Sequence, residues 1–403
     1  MSNFLSKEVP LAFLINPFYI YCATFSLSIF LYLWGWSSLY PEFSYPLILY
    51  FIITFGISII LGRISGKFRI LEFIKEPKSR NHFLLLDLIF LVIILMGILD
   101  VYLTGYIPVL DRSRNHLDFG FPVIDPIFSS LSIFFSVFFF QTFLESRRKR
   151  YFIYFILLIV FQLLIFRRST VIWILTASVI IFILDRKRLK TIVLLICFLS
   201  IPLISFGFGI YGNFRNNLGK SYVMNDLAPA ERFKNSGINP NHYLTYLYFS
   251  SPLANLQSNV NHEDGFTNNG KLRDFMFNCI LPQSLTLRLK DPLKLPVPEY
   301  SLIHPHLIAG SFLLVSYSTL GWLGMIFMFF LLILYIITCT VIIRRWNTFS
   351  LTTYAILLTT VSLLTFSNFL NRLDVLLTLF VYPVIFHFVF KSANSDLPAQ
   401  ELN

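Results

Sequence analysis

The sequence predicts an all-α integral membrane protein: about ten transmembrane helices, interrupted once by a large extramembrane loop. Three observations carry that expectation. Hydrophobic residues make up 56% of 403 and charged residues only 13%, with a mean hydropathy of +0.70; soluble domains carry about 25% charge. Apolar runs of the length needed to cross a bilayer, about 20 residues, recur along the chain. Lys and Arg are spread unevenly over the segments that join those runs.

The runs fall at 12–36, 44–62, 82–104, 124–144, 151–166, 170–185, 191–211, 315–343, 349–368 and 375–390. Backbone groups in lipid must be paired internally, so each run is expected to be helical. The fifth and sixth are short and joined by Arg167-Arg168-Ser169-Thr170. Paired arginines at the centre of one long span are costly, which predicts a tight turn there. The chain divides into a first bundle of about seven spans at 1–211, a large, partly helical loop at 212–305, and a second bundle of about three spans with a short tail at 306–403.

Orientation follows from where the basic residues lie. With the amino terminus placed in the cytoplasm, the segments on that side include Arg63–Arg80, Arg147–Arg150, Arg186–Lys190 and Arg344-Arg345, and hold eighteen of the 32 Lys and Arg. The short loops on the other side hold five: Arg112, Arg114, Arg167, Arg168 and Arg372. The positive-inside rule therefore puts both termini in the cytoplasm and the 212–305 loop outside. The net charge of +11 is then topological bias and attraction to anionic lipid headgroups, and gives no case for a nucleic-acid partner.

The outer-side arginines are candidate anion ligands. Arg112 and Arg114 follow the third run, Arg167 and Arg168 lie at the turn between the fifth and sixth, and Arg215 follows the seventh. Arg288 lies in the long loop, and Arg372 between the ninth and tenth runs. A guanidinium meets a phosphate through a planar bidentate fork. The competing reading is that each arginine anchors a helix end at the headgroups by snorkelling. Arg168 and Arg215 are the foremost candidates for holding a diphosphate.

Within the long loop, Asn239-Pro240 predicts a helix start, with Asn as the cap and Pro at the first position. The aromatic stretch that follows, including Tyr246, suits either a sugar face or helix packing. His304 and His306 flank Pro305 where the loop re-enters the membrane. They are the candidates for taking a proton from an attacking hydroxyl. Glu263, Asp264 and Glu299 stand in reserve. Two histidines are too few for a metal site by themselves, and no metal or other cofactor is expected.

Several stretches resemble the O-antigen (oligosaccharide repeat unit) polymerases, the Wzy-type proteins of Gram-negative bacteria. They are Gly105-Tyr106-Ile107-Pro108-Val109-Leu110 followed by Arg112 and Arg114, Phe166-Arg167-Arg168-Ser169-Thr170, and Gly212-Asn213-Phe214-Arg215. The stretch from Tyr246 through Ser251-Pro252-Leu253-Ala254-Asn255-Leu256 is a fourth. The last runs from His304-Pro305-His306-Leu307-Ile308-Ala309-Gly310 to Leu320-Gly321-Trp322-Leu323-Gly324. Their order is similar to the family's across most of the chain. One position departs: the family often has an acidic residue shortly after the histidine-proline stretch, and here Gly310-Ser311 stands there.

The resemblance implies a GT-C-like bundle in the bacterial inner membrane, acting at the periplasmic face in lipopolysaccharide biosynthesis. It implies a glycosyltransferase that joins undecaprenyl-diphosphate-linked oligosaccharides without metal or nucleotide sugar, and a separate chain-length regulator as partner. On this reading the candidates named above are Arg215, His304 and His306 for catalysis, with Arg112, Arg114, Arg167, Arg168, Arg288, Arg372 and Tyr246 around the substrate. Two alternatives are an O-antigen ligase, whose members usually have about twelve spans, and a non-enzymatic flippase or transporter, which usually shows internal repeats.

Overall fold

A computed structural model describes residues 8–9, 15–67, 83–111, 119–185, 189–190, 226–262, 272–295 and 298–395. The seventh apolar run, 191–211, lies outside the described residues. Among the described residues the chain is helical apart from turns, a two-residue antiparallel pair, β1 (Glu8–Val9) with β2 (Leu189–Lys190), and one bridge between Ser37 and Pro229.

The helices begin where the apolar runs do. They are α1 (Pro17–Leu33), α2 (Tyr45–Lys67), α3 (Phe83–Thr104), α4 (Ile124–Ser146), α5 (Lys149–Leu164) and α6 (Arg168–Asp185). Within the long loop lie α7 (Glu231–Lys234), α8 (Pro240–His262), α9 (Leu272–Phe275), which continues as a π-helical turn at Met276–Ile280, and α10 (Gln283–Leu289). The rest is α11 (Leu314–Arg345), α12 (Ser350–Leu363) and α13 (Leu373–Leu376), which passes through a π turn at Leu377–Val381 into α14 (Tyr382–Ser395).

Among the described residues six helical stretches are long and apolar enough to cross a membrane: α2, α3, α4, α6, α11, and α13 through α14. α1 is as apolar but has 17 residues. α5 and α12 have 16 and 14; at about 1.5 Å per residue these two are shorter than a hydrocarbon core of about 30 Å. The expected turn between the fifth and sixth runs is there. α5 ends at Leu164, Phe166 takes a left-handed φ of 58°, and the Arg167 N–H closes the turn on the Gln162 carbonyl at 2.9 Å.

The chain folds as two compact units. The first takes residues 1–64, 188–333 and 361–371. Here α8 packs along α1. It starts as the sequence predicts, with the Asn239 side chain accepting the Asn241 N–H at 3.0 Å. Ser28 Oγ donates to the Phe249 carbonyl at 2.7 Å, and Tyr40 and Ser250 share a hydroxyl bond of 2.7 Å. α8 is far less apolar than the spans. Its inner face buries Asn255, Gln257 and Asn259, because each finds a hydrogen-bond partner.

α11 is broken inside this unit. Gly321 adopts φ 58°, ψ −140°, which a side chain would oppose. The break brings Gly324 against the chain before it: a Cβ on Gly324 would lie 2.0 Å from the Ser316 carbonyl oxygen.

The second unit takes residues 65–187, 334–360 and 372–403. Its centre is α4, against which α3, α5, α6 and α13 pack. That position explains its composition. Phe128, Phe134, Phe135 and Phe139 are fully buried, and so are Ser130, Ser132 and Ser136. Small hydroxyl residues let helices approach closely where lipid supplies no contrast in polarity. α3 is the opposite case, with Leu84 82% exposed and Leu88, Leu91 and Leu95 also open, as a lipid-facing helix requires.

Candidate functional site

In the second unit, charged side chains gather around Arg167. This residue sits in the α5–α6 turn and reaches the first turns of α4, donating to the Asp125 carboxylate and the Ser129 hydroxyl. The start of α13 is close enough for Asp374 and Arg372 to act on it. Arg372, the residue before α13, donates from Nε to Asp374 Oδ1 at 3.0 Å and from Nη2 to the other carboxylate oxygen. Its guanidinium also lies 5.8 Å from the centre of the buried Trp173 ring. Asp100, near the end of α3, completes the group. Its Oδ1 accepts the Phe121 N–H at 2.7 Å, while Oδ2 is buried with no hydrogen bond.

Carboxylates already surround the arginines of this group. Burial pulls the Arg167 guanidinium down to about 10, with Asp100 and Asp374 opposing and Arg372 reinforcing that shift. Desolvation thus outweighs the help the carboxylates give. Three helix N-termini also meet here, those of α4, α6 and α13. A helix N-terminus carries the positive end of a helix dipole. Arg168, half-buried, is the first residue of α6.

In the first unit, His304 and His306 lie on a segment stapled to α8. Asn255 donates to the Leu307 and Ala309 carbonyls at 2.7 and 2.8 Å and accepts the Ile303 N–H at 2.9 Å. One turn on, Asn259 exchanges a pair of bonds with the Ser301 backbone at 2.8 and 3.0 Å. Residues four apart share a helix face, so the two amides form one strip. Leu307 then packs on a core of Leu227, Phe233, Tyr243, Tyr246 and Leu247.

The two rings are 5.5 Å apart, and His304 Nδ1 lies 3.3 Å from the His306 backbone N–H. Partial burial, and then the neighbouring His306, lower the pKa of His304 below its ordinary value, against the pull of Asp226. The imidazole is therefore neutral, and able to accept a proton, over a wider pH range.

The same segment leads into a cavity of about 580 Å³. Gln283, Thr286 and Leu287 line it from one face of α10, Lys290 from just past its end, and Phe277 and Asn278 from the π turn before it. Glu299, Tyr300, Gly310 and Ser311 form another wall, and Ser367, Asn368 and Asn371 a third. Two of the amides are tied back to the chain: Asn371 donates to the Asn278 carbonyl at 3.1 Å, and Asn278 to the Asp274 carbonyl at 2.9 Å.

The residues singled out by sequence therefore fall in two groups. Arg167, Arg168 and Arg372 belong to the second unit. His304, His306, Arg288 and Tyr246 belong to the first. Arg288 is exposed, on the side of α10 away from the cavity-lining face. Tyr246 is a core residue, 4% exposed, with its hydroxyl accepting the Trp36 N–H at 3.2 Å. Arg112, Arg114, Arg215, Glu263 and Asp264 lie outside the described residues.

Sequence reasoning passed over Asp100, Asp125 and Asp374, and the latch role of Asn255 and Asn259. For Asp100 and Asp125 a signal was present: an aspartate at the edge of an apolar run implies a cationic partner. Among the described residues no three His, Cys, Asp or Glu side chains gather as a metal-binding group.

The fold defines a polytopic α-helical membrane protein. No family model matches the chain, and neither a curated protein nor a solved structure matches it.

Proposed function

We propose that this chain is an O-antigen polymerase of the Wzy type, with ten spans, both termini cytoplasmic and the 212–305 segment periplasmic. The observation that carries the reading is the gathering of Arg167 and Arg372 with Asp100, Asp125 and Asp374 at the starts of α4 and α13. A lipid-linked diphosphate is an anion that a guanidinium meets through its planar fork. Helices that cross a membrane suit a substrate carried on a polyprenol.

In this reading an acceptor hydroxyl attacks the anomeric carbon of the donor sugar. The bond from that carbon to the diphosphate oxygen breaks as the new glycosidic bond forms. The hydroxyl proton passes to His304, or to His306 in its place. The charge that develops on the departing undecaprenyl diphosphate is met by Arg215 and Arg168 and, more weakly, by Arg167, Arg112, Arg114, Arg288 and Arg372. No metal and no nucleotide sugar take part. A separate protein sets chain length.

The test is deletion of the gene in its host, followed by gel electrophoresis of lipopolysaccharide. A ladder collapsed to a single repeat supports a polymerase. Loss of all O-chain assigns a ligase instead, and an unchanged ladder overturns both. Reporter fusions at Ser221 and Ser395 test the topology separately, and they should report opposite compartments.

A further inference from the structure

The cavity beside the histidine segment has a chemistry distinct from the arginine group. Its volume of about 580 Å³ lies within the usual range for small-molecule sites, about 300–1,000 Å³. Lys290 and Glu299 are the charged side chains that line it, and their formal charges cancel. The remaining polar groups are amides and hydroxyls: Asn278, Gln283, Asn371, Ser311 and Tyr300 among them. Phe277 and Leu314 supply apolar wall.

Hydrogen-bond inventory narrows the ligand. Asn278 and Asn371 each spend one amide N–H on the backbone. Each keeps a second N–H and its carbonyl oxygen, so it offers a ligand both a donor and an acceptor. Glu299 adds two further acceptor oxygens. Lys290 donates, and serine and tyrosine hydroxyls both donate and accept. Ser311 is 2% exposed and its Oγ makes no hydrogen bond in the protein, a cost usually offset by a partner. A π-helical turn forms one wall, and such turns are frequent at functional sites. A compound dense in hydroxyls, uncharged, with apolar ring faces, satisfies all of these together.

We propose that this cavity is a subsite for a neutral sugar, holding the carbohydrate of an acceptor glycan and not the diphosphate. The assignment rests on the glycan reading above and names the part of the substrate that this cavity takes. Glu299 and Ser311 bind sugar hydroxyls here.

The test is saturation-transfer NMR on the full chain in perdeuterated detergent. The probes are free glucose, galactose, mannose, rhamnose, N-acetylglucosamine, N-acetylgalactosamine and glucuronic acid, with inorganic diphosphate as competitor. Saturation should reach at least one neutral sugar, exceed that for glucuronic acid, and persist when diphosphate is added. Glu299→Ala, at an exposed position, should weaken binding about tenfold or more, the usual scale for a hydrogen bond to a charged group. Ser311→Ala should weaken it less while leaving the melting midpoint unchanged, since that hydroxyl bonds nothing in the free protein.

The proposal fails if no neutral sugar is saturated, if diphosphate displaces the sugar, or if both variants bind as wild type does. The deletion experiment separates this result from the polymerase reading. Sugar binding with an unchanged ladder in the deletion strain sinks the polymerase and keeps the subsite; a collapsed ladder without sugar binding does the reverse.

Discussion

The two units bury polar groups in different ways. The second pairs full charges: Arg167 with Asp125, Arg372 with Asp374, and Arg150 with Asp87 at 2.9 Å. The first relies on neutral amides, with Asn255, Asn259, Asn278 and Asn371 all bonded to backbone. Removing one partner of a buried ion pair strands a full charge, whereas removing an amide costs about 1 kcal/mol for each hydrogen bond lost. The contrast teaches which substitutions should cost most.

The largest expected effect breaks the charged side. Arg167→Ala should collapse polymerisation to single repeats. Removing one preorganised donor from a developing anion costs about 10²–10³ in rate. Arg167→Lys keeps the charge and loses the fork, and should also fail. The double variant Arg167→Ala with Asp125→Ala removes both members of the ion pair. If the double variant recovers long ladders at normal protein level, Arg167 serves only to neutralise Asp125.

Next comes the backbone of the first unit. Gly324→Ala places a methyl group 2.0 Å from the Ser316 carbonyl oxygen, which cannot swing aside as a side chain would. Folded yield in the membrane should fall sharply. Gly56→Ala is the control, because a Cβ there meets nothing within 4 Å and alanine is the better helix former, by about 1 kcal/mol. Equal yields from the two variants would show that α11 does not need its break.

A smaller loss is expected at the latch. Asn255→Ala removes three hydrogen bonds, each worth about 1 kcal/mol net. Limited proteolysis should then cut within 301–309, with the rest of the chain protected. Protection equal to wild type would mean that Leu307 and its aromatic neighbours hold the segment by themselves.

The helices were legible because a span needs a long apolar run, and each of the nine runs that fall on described residues has a helix. The tight turn at Arg167-Arg168 was legible for the same reason, as was the start of α8 at Pro240. The arginine group was half legible. Arginine in short loops of the side poorer in basic residues marked Arg167 and Arg372, but Asp125 lies 42 residues from Arg167 and only folding brings them together. The aromatic stretch around Tyr246 read as either sugar face or packing, and burial puts Tyr246 in the core. The cavity had no signature, since its walls come from separate stretches whose Asn, Ser and Gln residues are unremarkable in sequence. Only tertiary contact brings Gly310 and Ser311 to the same cavity as Glu299.

The finest test concerns pH and the histidines. Burial and His306 lower the pKa of His304, and Asp226 raises it. Because the folded value is depressed, the fold favours neutral imidazole. That contribution is present above the unfolded value of about 6.5 and is lost as pH falls through the folded one. Polymerisation in membrane vesicles should follow the same limb, declining as the base becomes protonated. His306→Ala removes a like charge, so the decline should begin at higher pH than in wild type. Asp226→Asn removes the opposing carboxylate, and should move the limb to lower pH. Opposite displacements by two substitutions on either side of one ring are hard to obtain from a general loss of stability. Coincident limbs in all three proteins would remove His304 from the reaction and leave Glu299, in the cavity wall, as the group to examine for the proton.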